Sequence, residues 1–121
     1  MIKLNNKTKA IVKGLDLQLS YEQIKELDNI SDTTNTIEVD GIEIYCLTDN
    51  EADDLWDNMI DDYIDDCVLP DLPEAYRFYF DDEAFKRDCS FDGRGHTIAS
   101  YDGNETEVKI GNEWYYIYRT N

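Results

Sequence analysis

The side chains best suited to chemistry in this 121-residue sequence are carboxylates, and they are regularly spaced between Thr48 and Val68. Nine acids fall in that stretch: Asp49, Glu51, Asp53, Asp54, Asp57, Asp61, Asp62, Asp65 and Asp66. Four of them recur at steps of four residues, which aligns them on one helix face: Asp53, Asp57, Asp61 and Asp65. A parallel row holds Asp54, Asn58, Asp62 and Asp66. Like charges at this spacing destabilise a helix by about 0.2–0.5 kcal/mol per pair, so the pattern carries a local cost.

Acids in this arrangement can imitate phosphates. A helix rises about 1.5 Å per residue, which gives these acids roughly one charge per 3 Å. One DNA strand presents a phosphate about every 3.4 Å. The acids are therefore the candidate partner-binding residues, together with a more C-terminal set: Asp81, Asp82, Asp88 and Asp92. Changing the first row of four to Asn should relieve repulsion, leave the helix folded and remove the phosphate-like charges.

The charge of the chain is concentrated rather than spread. No lysine or arginine occurs between Lys25 and Arg77, and that stretch holds seventeen acids, while the whole protein has a formal net charge of −17. Such a block repels nucleic acid and anionic membrane and attracts basic surfaces. The composition therefore predicts a protein partner with a basic groove, and no direct binding to nucleic acid or membrane.

Other kinds of site are less well supported. An acidic surface that serves only solubility remains an alternative. A calcium loop needs a glycine turn within about twelve residues, and these acids lie on a predicted helix. The single histidine, His96, could join Cys67 and Cys89 around a metal or act with a cysteine nucleophile, but the spacings match no zinc pattern and no catalytic signature. The prediction is a non-enzyme without metal or cofactor.

The acids must be positioned by a helix. Thr48 and Glu51 form a capping box, and the helix that they begin is predicted to run to about Val68. Its apolar residues recur at steps of three and four and predict a buried stripe: Ala52, Leu55, Trp56, Met59, Ile60, Tyr63, Ile64 and Cys67. Pro70 and Pro73 end it.

The elements before this helix are a strand, helix and hairpin part. Ile2–Leu4 and Ala10–Val12 are predicted as short strands. Ser20 and Gln23 form another capping box, which begins a helix to about Ile30 with an apolar face of Tyr21, Ile24 and Leu27. Alternating residues around Asp40 and Gly41 predict a hairpin whose buried face holds Ile37, Val39, Ile42 and Ile44.

After the acidic helix, Asp71 is predicted to cap a short helix through Phe80, and Asp81 or Asp82 another to about Cys89. Three strands follow: His96–Tyr101, Thr106–Ile110 and Trp114–Arg119. The last is expected in the core, because a stacking platform needs a positive groove. Arg94 is predicted to pair with nearby carboxylates. Three other cations are expected to brace the acids: Arg77, Lys86 and Arg87.

These elements predict an α+β fold in which a small antiparallel sheet of hairpins packs with the acidic amphipathic helix and short helices. Length predicts one domain over residues 1–121, with an N-terminal part (1–45) and an acidic part (46–121). No stretch approaches the roughly 18 apolar residues of a membrane span, no signal peptide is evident, and the odd cysteine count fits a reducing cytosol. The expected location is the cytoplasm of a bacterium.

The segment from Leu72 to Asp88 resembles part of the ArdA-type antirestriction proteins. The matching positions are Leu72, Pro73, Tyr79, Phe80, Asp81, Glu83, Ala84, Phe85, Arg87 and Asp88. The acidic helix stands where that family has one, and Trp114–Arg119 resembles its terminal strand. The resemblance covers about residues 49–119, whereas residues 1–45 do not match and the family's chains are longer. Asp92–His96 and Ser100–Gly103 look like motifs of uncharacterised phage proteins.

The resemblance implies a mobile-element protein that mimics bent B-form DNA and blocks type I restriction enzymes. Together with the charge pattern, it predicts a phage- or plasmid-type DNA mimic that inhibits a host nucleic-acid-binding defence enzyme, by antirestriction or as an anti-CRISPR. The alternative is an acidic protein–protein adaptor whose charge serves only solubility. The oligomeric state is left open, with a homodimer as one option.

Overall fold

A computed structural model describes residues 3–121, which form six α-helices and one four-stranded sheet. The helices are α1 (Asn6–Leu15), α2 (Tyr21–Ser31), α3 (Asp49–Tyr63), α4 (Glu74–Arg77), α5 (Asp82–Ser90) and α6 (Arg94–Ile98). The strands are β1 (Thr36–Val39), β2 (Ile42–Thr48), β3 (Thr106–Ile110) and β4 (Glu113–Arg119). A π-helical turn (Ile64–Val68) and a 3₁₀ turn (Leu69–Asp71) continue α3. The predicted α+β class with a small antiparallel sheet is confirmed.

The sheet has the order β1-β2-β4-β3, and every pair is antiparallel. The first hairpin forms as predicted around Asp40 and Gly41, whose positive φ angles of 53° and 79° suit a tight two-residue turn. The second joins β3 to β4 through Gly111 (φ 63°). β2 and β4 lie at the centre and bring the two hairpins together, so the sheet unites residues 36–48 with residues 106–119.

Helices cover both faces of the sheet. Alternate residues of a strand point to opposite faces. One face packs on α1 and α2 in a buried cluster: Ala10, Ile11, Leu27, Ile37, Val39, Ile44, Cys46, Val108, Tyr115 and Ile117. The other packs on α3 and α6 in a smaller cluster: Leu47, Ala52, Ile98, Ala99 and Tyr118. The predicted hairpin face is confirmed, although Ile42 is only half-buried. In Trp114–Arg119, Tyr115, Ile117 and Tyr118 are buried as expected, whereas Tyr116 and Arg119 are half-buried and Trp114 is exposed.

The predicted strand at Ala10–Val12 is wrong, because these residues lie inside α1. The Asn5 side chain accepts a hydrogen bond from the Thr8 amide at 2.8 Å and caps this helix. Three apolar residues are too few to distinguish a period of two from one of 3.6. For the predicted strand Ile2–Leu4, Ile2 lies outside the described residues, and Leu4 is not in a strand.

The predicted strand His96–Tyr101 is also wrong, since α6 occupies its first three residues and no strand follows in the rest. Gly95 explains the close packing there. A Cβ at this position would come within 2.8 Å of backbone atoms of residues 103–105. The Ala99 amide donates to the Gly95 carbonyl at 2.9 Å, and the Gly103 amide to the Ala99 carbonyl at 2.7 Å. These bonds coil the backbone rather than extend it.

Asp71 does not cap the next helix, contrary to the prediction. Because Pro73 forces Leu72 into an extended conformation (ψ 140°), a helix cannot pass through that position. The resulting α4 spans four residues and has no side-chain cap. Asp81 caps α5 as predicted by accepting from the Ala84 amide at 3.1 Å. None of the helices within residues 3–121 has the length and apolar character that a membrane crossing would need.

Candidate partner-binding surface

The capping box predicted at Thr48 begins α3. The Thr48 hydroxyl accepts from the Glu51 amide at 3.3 Å, and the Glu51 carboxylate accepts from the Thr48 amide at 3.0 Å. Burial alone would raise the pKa of Glu51, but the Thr48 amide and the Lys7 ammonium, 3.2 Å from the carboxylate, lower it overall. The start of α3 is therefore fixed to the sheet and to α1.

The apolar stripe of α3 holds its acidic face outward, as predicted over most of its length. Ala52, Ile60 and Ile64 are buried. The stripe fails at its end, where Tyr63 is 51% exposed and Cys67 is exposed. The π-helical turn from Ile64 explains the exposure of Cys67, because its wider turn changes the phase of the residues within it. Tyr63 precedes this turn and stacks on Phe85 instead. Tyr21 of α2 is likewise exposed, contrary to the prediction.

Lys86 of α5 binds two acids of the predicted row. Its ammonium lies 2.9 Å from an Asp57 carboxylate oxygen and 2.7 Å from one of Asp61. The hydrogen bonds to Asp61 and Asp57 raise the pKa of Lys86, so it stays protonated. The other two cations that were expected to brace the acids do not: Arg77 donates to the Leu72 and Pro70 carbonyls, and Arg87 makes no ion pair with any described residue.

Arg94 of α6 binds three acids, as predicted. Its guanidinium lies 2.9 Å from Asp49, 2.9 Å from Asp53 and 2.8 Å from Glu105. It also lies over the Tyr116 ring, 4.6 Å from the centroid. Only 17% of its side chain and 25% of the Glu105 side chain are exposed, whereas Asp49 and Asp53 are 63% and 64% exposed, so the inner side of this network is the shielded one.

Glu105 extends the Arg94 network into the core. The Tyr118 hydroxyl donates to the Glu105 carboxylate. Burial, followed by this hydrogen bond, raises the pKa of Tyr118. Because Tyr118 lies in β4 and Asp49 in α3, Arg94 and Glu105 link the start of the acidic helix to the centre of the sheet.

The two predicted rows differ in their pairing. Asp53, Asp57 and Asp61 are neutralised by Arg94 or Lys86, yet their side chains remain 64%, 53% and 46% exposed. In the parallel row, three exposed acids have no cation within 4 Å among residues 3–121: Asp54, Asp62 and Asp66. The fully uncompensated charge of the helix therefore lies on this second row and on Asp65.

The C-terminal acids are also exposed, and one of them lies near the second row. Asp82, Asp88 and Asp92 make no ion pair within the described part of the chain. Asp92 lines a groove with Asp62 and Asp66. Burial raises the pKa of the Cys89 thiol, and Asp92 and Asp88 add to that effect. The structure thus brings acids from two distant segments to one place.

Exposed aromatic side chains accompany the acids, and the sequence patterns did not predict them. Phe78 is 90% exposed, Phe91 82%, Tyr79 78% and Tyr76 62%. Aromatic residues are enriched in protein interfaces, so their exposure makes this region a candidate contact surface. The signal available in the sequence was the high aromatic content between Pro73 and Asp81, where no apolar period of helix or strand length exists to bury it.

The structure places Cys67, Cys89 and His96 around the same groove. Among residues 3–121, however, no three side chains of the His, Cys, Asp and Glu types are arranged to hold a metal ion. The third cysteine, Cys46, is buried in the sheet, and burial raises the pKa of its thiol to about 12. Cys67, Cys89 and His96 therefore line one groove, but the described residues do not form a metal site there.

A scan against family models found no match to this sequence, and searches of curated proteins and of solved structures also found none. The resemblance to ArdA-type proteins stays a prediction that rests on the residues named above.

Proposed function

We propose that this protein inhibits a host nucleic-acid-binding defence enzyme by presenting carboxylates where that enzyme binds phosphates. The observation that carries the proposal is the set of exposed, uncompensated carboxylates Asp54 and Asp62 on α3 and Asp66 on the π-helical turn that continues it, where α3 is fixed to the sheet. The target class is a restriction–modification complex or a CRISPR effector. The setting is the cytoplasm of a bacterium that carries a phage or plasmid.

Two physical effects support this mechanism. The acidic protein would neutralise the positive charge of the enzyme's groove, as bound nucleic acid does. Because added salt screens this attraction, binding should weaken strongly as the salt concentration rises. The capping box and the buried stripe also hold the carboxylates in place before binding, which lowers the entropy lost on association. No substrate is turned over and no cofactor is needed in this mechanism.

A second candidate function is supported by the exposed aromatic residues. An acidic adaptor would bind its partner mainly through Phe78, Tyr79 and Phe91, with the charge serving solubility. Apolar burial responds little to modest salt, so this function predicts a shallow salt dependence.

The deciding experiment combines capture and inhibition. Proteins retained by the immobilised protein from a bacterial lysate are identified, and any nucleic-acid-binding enzyme among them is purified and assayed with increasing inhibitor. We expect competitive inhibition that weakens steeply between about 50 and 200 mM salt. Non-competitive inhibition, or affinity that stays flat over that range, would favour the adaptor.

A gel-shift titration with DNA and RNA at low salt is the control. We expect no complex, because two polyanions repel each other. A saturable complex with nucleic acid would contradict the proposal directly.

A further inference from the structure

A groove of about 600 Å³ opens between the end of α3 and the segment formed by α5 and α6. Its wall includes Met59, Ile60 and Tyr63 from α3, so much of its surface is apolar. Tyr63 is 51% exposed and stacks on Phe85, at 6.2 Å between ring centroids. An apolar groove of this size on an otherwise charged helix is unexpected for a surface that serves only solubility.

The lining also carries negative charge. Asp62, Asp66 and Asp92 border the groove, and none of them has a cation within 4 Å among the described residues. The nearest cations of the acidic helix are engaged elsewhere, since Lys86 binds Asp57 and Asp61, and Arg94 binds Asp49, Asp53 and Glu105. The groove therefore combines an apolar wall with three carboxylates that lack a partner.

We propose that this groove receives the side chain of an arginine from the partner protein. The inference rests on the proposed function, because it supplies a specific anchor for the basic surface that the acidic helix attracts. The methylene stem of arginine would lie along Met59 and Ile60. Its guanidinium would reach the carboxylates, whose geometry it can match with two parallel hydrogen bonds.

Other occupants fit less well. A purely apolar side chain would remove water from the three carboxylates without giving them a partner, which is costly. A phosphate would be repelled. A lysine could pair with one carboxylate, but its ammonium is more strongly hydrated than a guanidinium and stacks less well on an aromatic ring such as that of Tyr63.

The direct test is an NMR titration with small probes. Acetyl-arginine amide is added to the protein, with acetyl-lysine amide and acetyl-norleucine amide as matched probes. His96 is the only histidine, so its ring signals need no assignment, and the Met59 methyl signal is assigned by comparison with Met59→Leu. We expect saturable shifts at both residues with arginine and affinity for lysine lower by about tenfold. Equal binding of lysine or tighter binding of norleucine would overturn the assignment.

Two variants separate shape from charge. Cys67→Trp fills the groove from an exposed position on the π-helical turn without altering charge. The combination of Asp62→Asn, Asp66→Asn and Asp92→Asn removes the carboxylates. We expect each to weaken arginine binding by about tenfold or more. The control combines Glu22→Gln, Glu26→Gln and Glu107→Gln, which removes three exposed acids outside the acidic helix, and its arginine affinity should stay within twofold or so of wild type.

Circular dichroism first verifies that each variant is folded. If Cys67→Trp binds arginine as the wild type does, or if the control loses as much affinity as the groove variants, the groove is not the binding site.

The titration contains no target enzyme, so its outcome is independent of whether inhibition is found. If Cys67→Trp no longer binds the probe yet inhibits the captured enzyme fully, the partner's arginine does not enter the groove. Phosphate mimicry by the helix would still stand in that case.

Discussion

The sheet with α1 and α2 differs sharply from the segment of residues 65–94. In the first region, Ile11, Ile44 and Ile117 are at most 2% exposed and belong to one buried cluster. In the second, no residue is buried, and Phe78 and Phe91 are more than 80% exposed. The difference teaches that the buried core of this small protein and its exposed aromatic groups reside in different parts of the chain.

The largest expected effect is on the stability of the sheet. Ile44→Ala should lower the free energy of unfolding by about 2–5 kcal/mol, because it leaves a cavity in the buried cluster. Its counterpart, Phe78→Ala, removes a larger side chain from a 90% exposed position and should change stability by no more than about 0.5 kcal/mol. Urea denaturation of the two variants measures both values. Comparable losses would mean that the exposed segment is part of the stabilising core.

The same Phe78→Ala variant sharpens the functional side of the comparison. Phosphate mimicry by the acidic helix predicts that it inhibits almost as well as the wild type, whereas the adaptor function predicts a loss of about tenfold or more, as for an interface hot spot. Inhibition or binding assays on the folded variant decide between the two.

The next largest effect is a loss of stability when Arg94 is changed, because Arg94 lies at the end of the exposed segment and links it to α3 and to Glu105. Arg94→Gln should cost about 1–3 kcal/mol, because it leaves Glu105 and Asp49 without their shared cation. Arg87→Gln removes the same charge from an exposed position that makes no ion pair with residues 3–121, and serves as the control. Thermal melts compare the two. A loss as large in the control would show that net charge, rather than the network, is responsible.

A smaller effect on folding distinguishes the two acidic rows. The sequence alone predicted that changing Asp53, Asp57, Asp61 and Asp65 to Asn would leave stability unchanged or raise it. The structure changes this expectation, because Lys86 and Arg94 would lose partners, so we now expect a slightly lower melting temperature.

The matched triple change Asp54→Asn, Asp62→Asn and Asp66→Asn removes only repulsion and should leave the melting temperature equal or higher. This triple variant should also weaken inhibition more per charge removed than the variant of the first row does. The reason is that Asp54, Asp62 and Asp66 are not paired with any cation among the described residues, so their full charge is available to a partner. Melts and inhibition assays on both variants provide the measurement. The opposite ranking would point to the paired row as the contact surface.

The smallest effect is a dependence on pH at the start of α3. Glu51 has a lowered pKa in the folded protein, so its contribution to stability is complete above its unfolded pKa and is lost as the pH falls through the folded value. Glu51→Gln keeps an oxygen for the Thr48 amide but lacks the charge that pairs with Lys7. The variant should therefore lose less stability than the wild type between about pH 5 and pH 3, by at most about 1 kcal/mol.

Urea midpoints at several pH values test this difference, and the general relief of acidic repulsion at low pH cancels between the two proteins. Parallel pH profiles would show that the Lys7 pair contributes nothing.

Local patterns in the sequence predicted much of this fold. The two capping boxes, the Asp40–Gly41 hairpin, the β3–β4 hairpin and the apolar side of α3 all depend on residues within a few positions of one another. The helix α1 was missed because its buried residues form a run too short to show a period.

The candidate surface depends on contacts between distant residues, and although the sequence predicted that Arg94 and Lys86 would pair with acids, it could not predict which ones. Lys86 lies 29 residues from Asp57, and Arg94 lies 41 residues from Asp53. The spacing of the acids therefore indicated a helix face correctly but could not show which row would be neutralised. The groove was missed for the same reason, since Asp62 and Asp92 meet only in the folded chain.

The exposed segment lies between two buried residues, Ile64 before it and Gly95 after it. This arrangement has an evolutionary consequence. Any side chain at Gly95 would collide with the backbone of residues 103–105, whereas most positions between Ile64 and Gly95 are exposed. If the proposed function holds, lineages that meet new defence enzymes would be free to replace the acids and aromatic residues of this segment while Ile64 and Gly95 stay fixed. We expect related sequences to diverge fastest between residues 65 and 94 and to keep glycine at position 95.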